Sequence, residues 1–245
     1  MKRALFATLT CICLLLPPFP AGAADPLPAK PGEPPRVEST DIATVTQGLK
    51  EALTVAADRA VRAAAKPDGY AGNKSIRIDV PGELEHLPPY FMDRGYQAQV
   101  NAFILSLNRA AEKAAPKAAP LFAAVIRELP IDNAEKIVNG GGMAATDYLR
   151  QKASEKLHAA FRPAVVTGMG EAGVLSAYRE MMAKYDYESV AAFPVDQWQF
   201  DLEGYVTGRA LDGLIYLMGE EEKKIRKEPA ARTTDLLRKV FGPSE

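Results

Sequence analysis

Cysteine is almost absent from this chain of 245 residues, and both copies, Cys11 and Cys13, lie within the first 23. A chain that has lost those residues can form no disulfide, offers no thiol nucleophile and has no thiolate ligand for a metal. Neither cysteine has a leucine three residues before it, which argues against a lipoprotein signal. The folded part must therefore be held together by its apolar core, and about 200 residues are enough to build one.

Motifs for metal binding and nucleophilic catalysis are absent as well. The two histidines, His86 and His158, belong to no HExxH pattern, and neither a calcium loop nor a Gly-x-Ser-x-Gly elbow occurs. The serines, Ser154 among them, fall within helical stretches, where we expect no base nearby in the sequence. The sequence thus predicts no metal site and no cofactor.

Positive charge is not in excess, since 30 Lys and Arg residues stand against 31 Asp and Glu residues. A protein that binds nucleic acid or an anionic membrane surface usually carries a basic excess. We therefore expect no nucleic-acid partner.

The first 23 residues predict a cleavable export signal. Lys2 and Arg3 precede an apolar run over residues 4–16, and small residues follow up to Ala23. This is the order of a secretory signal peptide, and the run is shorter than the roughly 20 residues that a permanent membrane helix requires. We expect cleavage after Ala23, a periplasmic mature chain and no transmembrane anchor in it. Residues 24–40, which are rich in proline, predict an extended tether.

Residues 41–245 predict a single compact all-α domain of about eight helices. Apolar residues recur at spacings of three and four, as they do on one face of a helix. Examples are Val45, Leu49 and Leu53, then Val100, Phe103 and Leu107, then Val206, Ala210 and Leu214. Asp201 is expected to cap the helix that carries the last of these rows. Residues 75–81, SIRIDVP, alternate instead and predict one short extended segment without a partner strand, lying along the helices.

Three consecutive glycines, Gly140, Gly141 and Gly142, separate two of the predicted helices. A Walker-type phosphate loop needs a strand before it and Lys-Ser or Lys-Thr after it, and neither is present. We predict a hinge, in which Asn139 and Gly140 end one helix through a left-handed cap and a new helix begins near Met143. The alternative is an anion site at the free amides of the new helix.

Six polar residues on alanine-rich helices form a candidate polar cluster. They are Asn108, Arg109, Glu112, Asp147, Arg150 and Arg162. Helical spacing places the first three on one face and the next two on another. Either they pair with one another and fix helix packing, or some of them line a cleft. The charged run 220–227, EEEKKIRK, is interpreted as a solvated helix face rather than a ligand cluster.

Several stretches together resemble a known bacterial family. They are KPDGY (66–70), NGGGMAATDYLRQK (139–152), FRPAV (161–165), ALDGL (210–214) and EEEKKIRKEPAARTTDLLRKVFG (220–242). The family is labelled domain of unknown function four-one-nine-seven, and the resemblance extends over about residues 42–242. It implies an exported, all-helical protein of Gram-negative bacteria, and it brings no activity, cofactor or catalytic residue.

The leading hypothesis for function is a non-enzymatic envelope protein that binds a protein partner or an apolar small ligand. The alternative is a hydrolase or lyase that uses the carboxylates and arginines of the candidate polar cluster. An enzyme should bring at least two of those residues together in an open pocket. A purely structural network should instead bury them and pair them with one another.

Overall fold

Helices provide the regular structure of the residues that this computed structural model describes, which are 41–85, 87–184 and 201–242. The helices are α1 (Ile42–Ala64), α2 (Leu87–Asp93), α3 (Gln97–Ala114), α4 (Ala118–Glu128), α5 (Ala134–Val138), α6 (Ala144–Glu171), α7 (Val174–Met182), α8 (Leu202–Lys227) and α9 (Asp235–Phe241). No strand occurs in the described residues. The prediction of an all-α domain with about eight helices is confirmed. The predicted signal and tether lie outside the described residues.

Local sequence explains where two of the long helices, α1 and α8, begin. Asp41 accepts a hydrogen bond from the Thr44 amide at the start of α1, and Asp201 accepts one from the Gly204 amide at the start of α8. A carboxylate at this position satisfies an amide that has no partner within the helix. The predicted cap at Asp201 is therefore confirmed.

Four long helices build the core. Helix α8 packs against α1 and α6, and α6 also packs against α3. Small residues allow this close approach: a Cβ atom on Gly168 of α6 would lie 2.5 Å from the Ala110 carbonyl oxygen of α3. Helices α4 and α9 cover α1, and α7 covers α3. Because α6 and α8 pack directly against each other, these two long helices lie side by side.

The predicted extended segment lies against α3 without a partner strand. Ile76 and Ile78 are buried, and the Ile78 backbone is hydrogen-bonded to the side chain of Asn108. The Asn108 amide takes the place of a neighbouring strand here, because it both accepts from the Ile78 amide and donates to its carbonyl oxygen. The alternation of residues 75–81 predicted this short unpaired segment, and residues 77–81 lie outside helices and strands as predicted. The prediction is wrong for Ser75 and Ile76, which belong to a turn in which the Ile76 and Arg77 amides donate to the Asn73 carbonyl oxygen.

Candidate functional site

Asn108, Arg109 and Glu112 of the candidate polar cluster join a loop to α3. The Asn108 side chain lies 2.8 Å from the Ile78 amide and 2.7 Å from its carbonyl oxygen. Glu112 is buried, and its Oε1 accepts hydrogen bonds from the Tyr70 and Ala71 amides, each at 3.1 Å. These contacts hold residues 70–78 on the helix. The side chains of Asn108 and Glu112 are thus engaged by backbone groups.

Arg109 completes this arrangement. It donates to Glu112 Oε2 at 2.6 Å and to Asp68 Oδ1 at 2.8 Å. The hydrogen bond to Glu112 raises the pKa of the Arg109 guanidinium above its usual range. Beside it, burial raises the pKa of the Tyr70 hydroxyl, and the Glu112 carboxylate adds to the effect. The Tyr70 hydroxyl donates to the Ala210 carbonyl oxygen at 2.7 Å, so it too is engaged in packing.

The other three members of the candidate polar cluster lie on α6, apart from the first three. Asp147 is exposed in the first turn of the helix. Arg150 lies 4.0 Å from Asp212 of α8. Arg162 donates to Asp201 at 2.9 Å and to Glu203 at 3.2 Å. The structure therefore divides the six residues into one group on α3 and another on α6.

The glycines between α5 and α6 do not form the left-handed cap that we predicted. Their φ angles are not positive, and Asn139 ends α5 with φ −83°. Gly140 is required for a steric reason, because a Cβ atom there would lie 2.7 Å from the Ala144 Cβ. Met143 is the residue that precedes the first turn of α6, which agrees with a new helix beginning there.

Glu222 of α8 occupies the position where an external anion would bind. Its carboxylate accepts hydrogen bonds from the Ala145 amide at 3.0 Å and from the Thr146 amide at 2.7 Å. The Thr146 hydroxyl donates to it as well, at 2.7 Å. Free amides at a helix N-terminus attract negative charge, and here the chain itself supplies it.

Arg226 extends the contacts of Glu222 to the other side of the glycines. It lies 2.7 Å from Glu222 and donates to the carbonyl oxygens of Val138 and Ile137 at 2.7 and 3.0 Å. One ion pair therefore binds the end of α5 and the start of α6, and we name Glu222 and Arg226 the hinge clamp. The interpretation of residues 220–227 as a solvated face is wrong for this pair.

The sequence does contain a signal for the hinge clamp. Glu222 continues the buried row of Ile215, Met218 and Ile225 at helical spacing. A carboxylate on a buried row requires donors close by, because an unpaired buried charge is costly. That the donors belong to the start of α6 is a matter of tertiary packing.

An open groove lies between α6 and α8. We name it the α6–α8 groove, and it has a volume of about 370 Å³. Its lining residues are Ser154, Glu155 and His158 of α6 and Gly208, Leu211, Asp212 and Ile215 of α8. Most of its wall is apolar, and the polar groups are few. Arg150 does not line the groove but contacts Asp212, which does. Arg162 is paired with residues at the start of α8.

Two residues of the groove have the spacing of a nucleophile and its base, which the sequence analysis missed. His158 follows Ser154 by one helical turn. The Ser154 hydroxyl donates to the Arg150 carbonyl oxygen at 2.6 Å, however, and His158 Nε2 lies 3.4 Å from the Gly204 carbonyl oxygen. The hydroxyl proton therefore points to the backbone of its own helix and not to the imidazole.

The described residues contain neither a membrane-spanning helix nor a cluster of metal ligands. None of the described helices is long and apolar enough to cross a membrane. No group of three or more His, Cys, Asp and Glu side chains in the described ranges is arranged to hold a metal ion.

Comparison with known proteins identifies the family of this chain. The family described as "Protein of unknown function (DUF4197)" matches residues 39–242. No curated protein and no solved structure matches the chain. The match covers most of the sequence and includes every helix described above, so the chain belongs to the DUF4197 family.

Proposed function

We propose that the chain is exported to the periplasm and acts there as a binding protein, holding a small ligand with an apolar part in the α6–α8 groove. The composition of the groove carries the proposal. Its wall is mainly apolar and it carries a few polar groups, which is the usual make-up of small-ligand sites. Its volume of about 370 Å³ also lies within the range of such sites.

A binding role has more support than a hydrolase or lyase, because the polar groups with the best-defined geometry are engaged in folding. Glu112 and Glu222 accept hydrogen bonds from backbone amides, and each is paired with an arginine. A carboxylate with these partners has little capacity left to act as a general base. Ser154 is directed to a backbone carbonyl oxygen.

Export is tested by fractionating cells that express the full chain. We expect the protein in the periplasmic fraction with Ala24 as its first residue, because Ala23 ends the signal-like region. N-terminal sequencing of the folded protein decides the matter. Retention of Met1 on folded protein in the cytoplasm would rule out the exported role.

Ligand binding is tested with a substitution that fills the groove. Gly208 lies in α8 and lines the groove, and a Cβ atom there would meet no atom within 4 Å. Gly208→Leu should therefore fold and occlude the groove. Gly170→Leu is the matched control, because Gly170 is also helical, also has open space beside it and lies outside the groove.

All three proteins are purified gently from native envelopes, and the small molecules bound to them are identified by mass spectrometry. We expect one species on the unmodified protein and on the Gly170→Leu variant, and its loss from the Gly208→Leu variant. The same species at equal occupancy on all three would place the ligand elsewhere. A protein partner retained equally by all three, with no small molecule, would favour the other form of binding.

A further inference from the structure

We infer that the ligand of the α6–α8 groove is a small organic cation, a protonated amine with an apolar body. This inference rests on the proposed function of the same groove and adds the chemical class of its ligand. The observation behind it is the juxtaposition of Glu155 and Asp212, from opposite walls, above an apolar floor that contains Leu211 and Ile215.

Charge complementarity is the first argument. Among the described residues that line the groove there are two carboxylates and one imidazole, with neither lysine nor arginine. Glu155 has no ion-pair partner in the described part of the chain, although it lies on a helix with several basic residues. An ammonium group between the two helices would approach both carboxylates, whereas an anion would be repelled by them.

The second argument concerns Asp212, which is held only weakly. Its contact with Arg150 is 4.0 Å long, and both side chains are about half exposed, at 60% and 48%. An exposed ion pair of this kind stabilises by less than about 1 kcal/mol, so a ligand cation can replace the guanidinium at little cost. The carboxylates of Glu112 and Glu222, by contrast, are buried and each accepts backbone hydrogen bonds.

The third argument is the apolar surface below the carboxylates. Leu211 and Ile215 lie one turn apart on α8 and form the floor of the groove, and Gly208 leaves its end open. A ligand that carries only a charge would leave this surface in contact with water. An alkyl or aryl body would cover it, and burial of apolar area favours binding.

The test uses three probes with the same eight-carbon chain: octylammonium, octanol and octanoate. Calorimetric titration of the mature protein is carried out below the concentrations at which the probes form micelles. The buffer is mildly alkaline, at a pH where an alkylammonium keeps its charge. We expect octylammonium to bind most tightly, octanol more weakly and octanoate most weakly of the three.

Substitutions that change the charge at the groove test whether its negative charge favours the binding of a cation. Asp212→Asn should weaken octylammonium binding about twofold to fivefold, and Arg150→Gln should strengthen it by a similar factor because it frees Asp212. Asp58→Asn is the control, since Asp58 is an exposed carboxylate paired with an arginine on α1. Octanol binding should change with none of these three variants.

The outcomes separate the two proposals. Equal binding of the three probes, lost in Gly208→Leu, would overturn the inference of a cation and leave the groove as a ligand site. Tightest binding of octanoate, strengthened by Asp212→Asn and weakened by Arg150→Gln, would overturn it as well. Failure of all three probes to bind would overturn both the inference and the proposed role of the groove.

Discussion

Glu222→Gln is the substitution that should destabilise the chain most clearly, because it keeps the shape of the side chain and removes its charge. An amide has one acceptor oxygen and one NH₂ group, whereas the carboxylate has two acceptor oxygens. The NH₂ group would face the amide of either Ala145 or Thr146, and both of these are donors. Arg226, 2.7 Å away, would lose its negative partner as well.

The magnitude follows from the burial of this contact. Glu222 is 0% exposed, and the Arg226 side chain is 10% exposed. Removal of one partner from a buried ion pair usually lowers the free energy of unfolding by about 3–5 kcal/mol. Hydrogen bonds to a charged acceptor, counted separately, contribute about 1.5–3 kcal/mol each, so two of them give a similar value. The two figures describe the same contacts and are not added.

The assay is equilibrium unfolding in urea, followed by the helical circular dichroism signal. Glu220→Gln is the control, because Glu220 is 38% exposed and its ion-pair partner among the described residues is Lys223, three residues along the same helix. It should lose less than about 1 kcal/mol. Combining Glu222→Gln with Arg226→Met should cost less than the sum of the single changes, since the two residues form one network. Equal unfolding midpoints for Glu222→Gln and Glu220→Gln would refute the role of the hinge clamp.

Three further predictions concern four glycines and the first turn of α6. Gly140→Ala should lower the free energy of unfolding by about 1–3 kcal/mol through overpacking against Ala144, whereas Gly141→Ala, with open space beside it, should stay within about 0.5 kcal/mol in the same urea assay. Gly208→Ala should raise the melting temperature because it adds about 0.5–1 kcal/mol of helix propensity, and Gly168→Ala should lower it because its Cβ would meet the Ala110 carbonyl oxygen. Phosphate at fixed ionic strength should leave the melting temperature unchanged, because Glu222 already accepts from the amides of α6; a saturable rise would contradict this.

The helical fold could be predicted from the sequence because the signals for it are local. The spacing of apolar residues is that of one helix face, and the cap at Asp201 depends on an amide three residues away. Most of the unpaired segment was recognisable for the same reason, since alternation over residues 75–81 argues against a helix, although residues 75 and 76 form part of a turn. None of these features depends on which helices become neighbours.

The role of the glycines could not be predicted fully, because it depends on a contact across the turn. A left-handed conformation is the common reason for a glycine after a helix. Gly95 and Gly173 have it, with φ angles of 79° and 67°, whereas Gly140 does not, and the sequence alone does not distinguish these cases. The reason found here is the distance between Gly140 and Ala144, which is set by the angle at which α6 leaves α5. Sequence spacing contains no information about that angle.

The candidate site, too, was predictable where it depends on one helix and not where it depends on contacts between distant segments. Helical spacing correctly placed Asn108 and Glu112 on one face of α3, but their partners are backbone amides of Tyr70, Ala71 and Ile78, more than 25 residues away in the chain. The α6–α8 groove likewise combines residues of two helices that are about 50 to 60 positions apart in the chain. A single sequence indicates which residues share a helix face and leaves open what that face contacts.

The longest of the stretches that resemble the family, residues 220–242, is occupied by structural contacts. Besides the hinge clamp, Glu221 binds Arg59 of α1, and Arg232 donates to the carbonyl oxygens of Ile225 and Arg226 at the end of α8. Thr234 caps α9. A long and specific sequence segment here marks the assembly of the helices, and it gives no reason to place a chemical site in it.

The shorter stretch ALDGL, residues 210–214, contains one residue without such a structural role. Leu214 is buried, and Gly213 is required because a Cβ atom there would lie 2.8 Å from the Tyr70 ring. Asp212 has no comparable role in packing: it is exposed, and within the described residues its ion-pair contact is the one with Arg150 at 4.0 Å. Since the described contacts do not account for an acidic residue at this position, its place in the wall of the α6–α8 groove is the best reason to test the proposed ligand site there, beginning with cations.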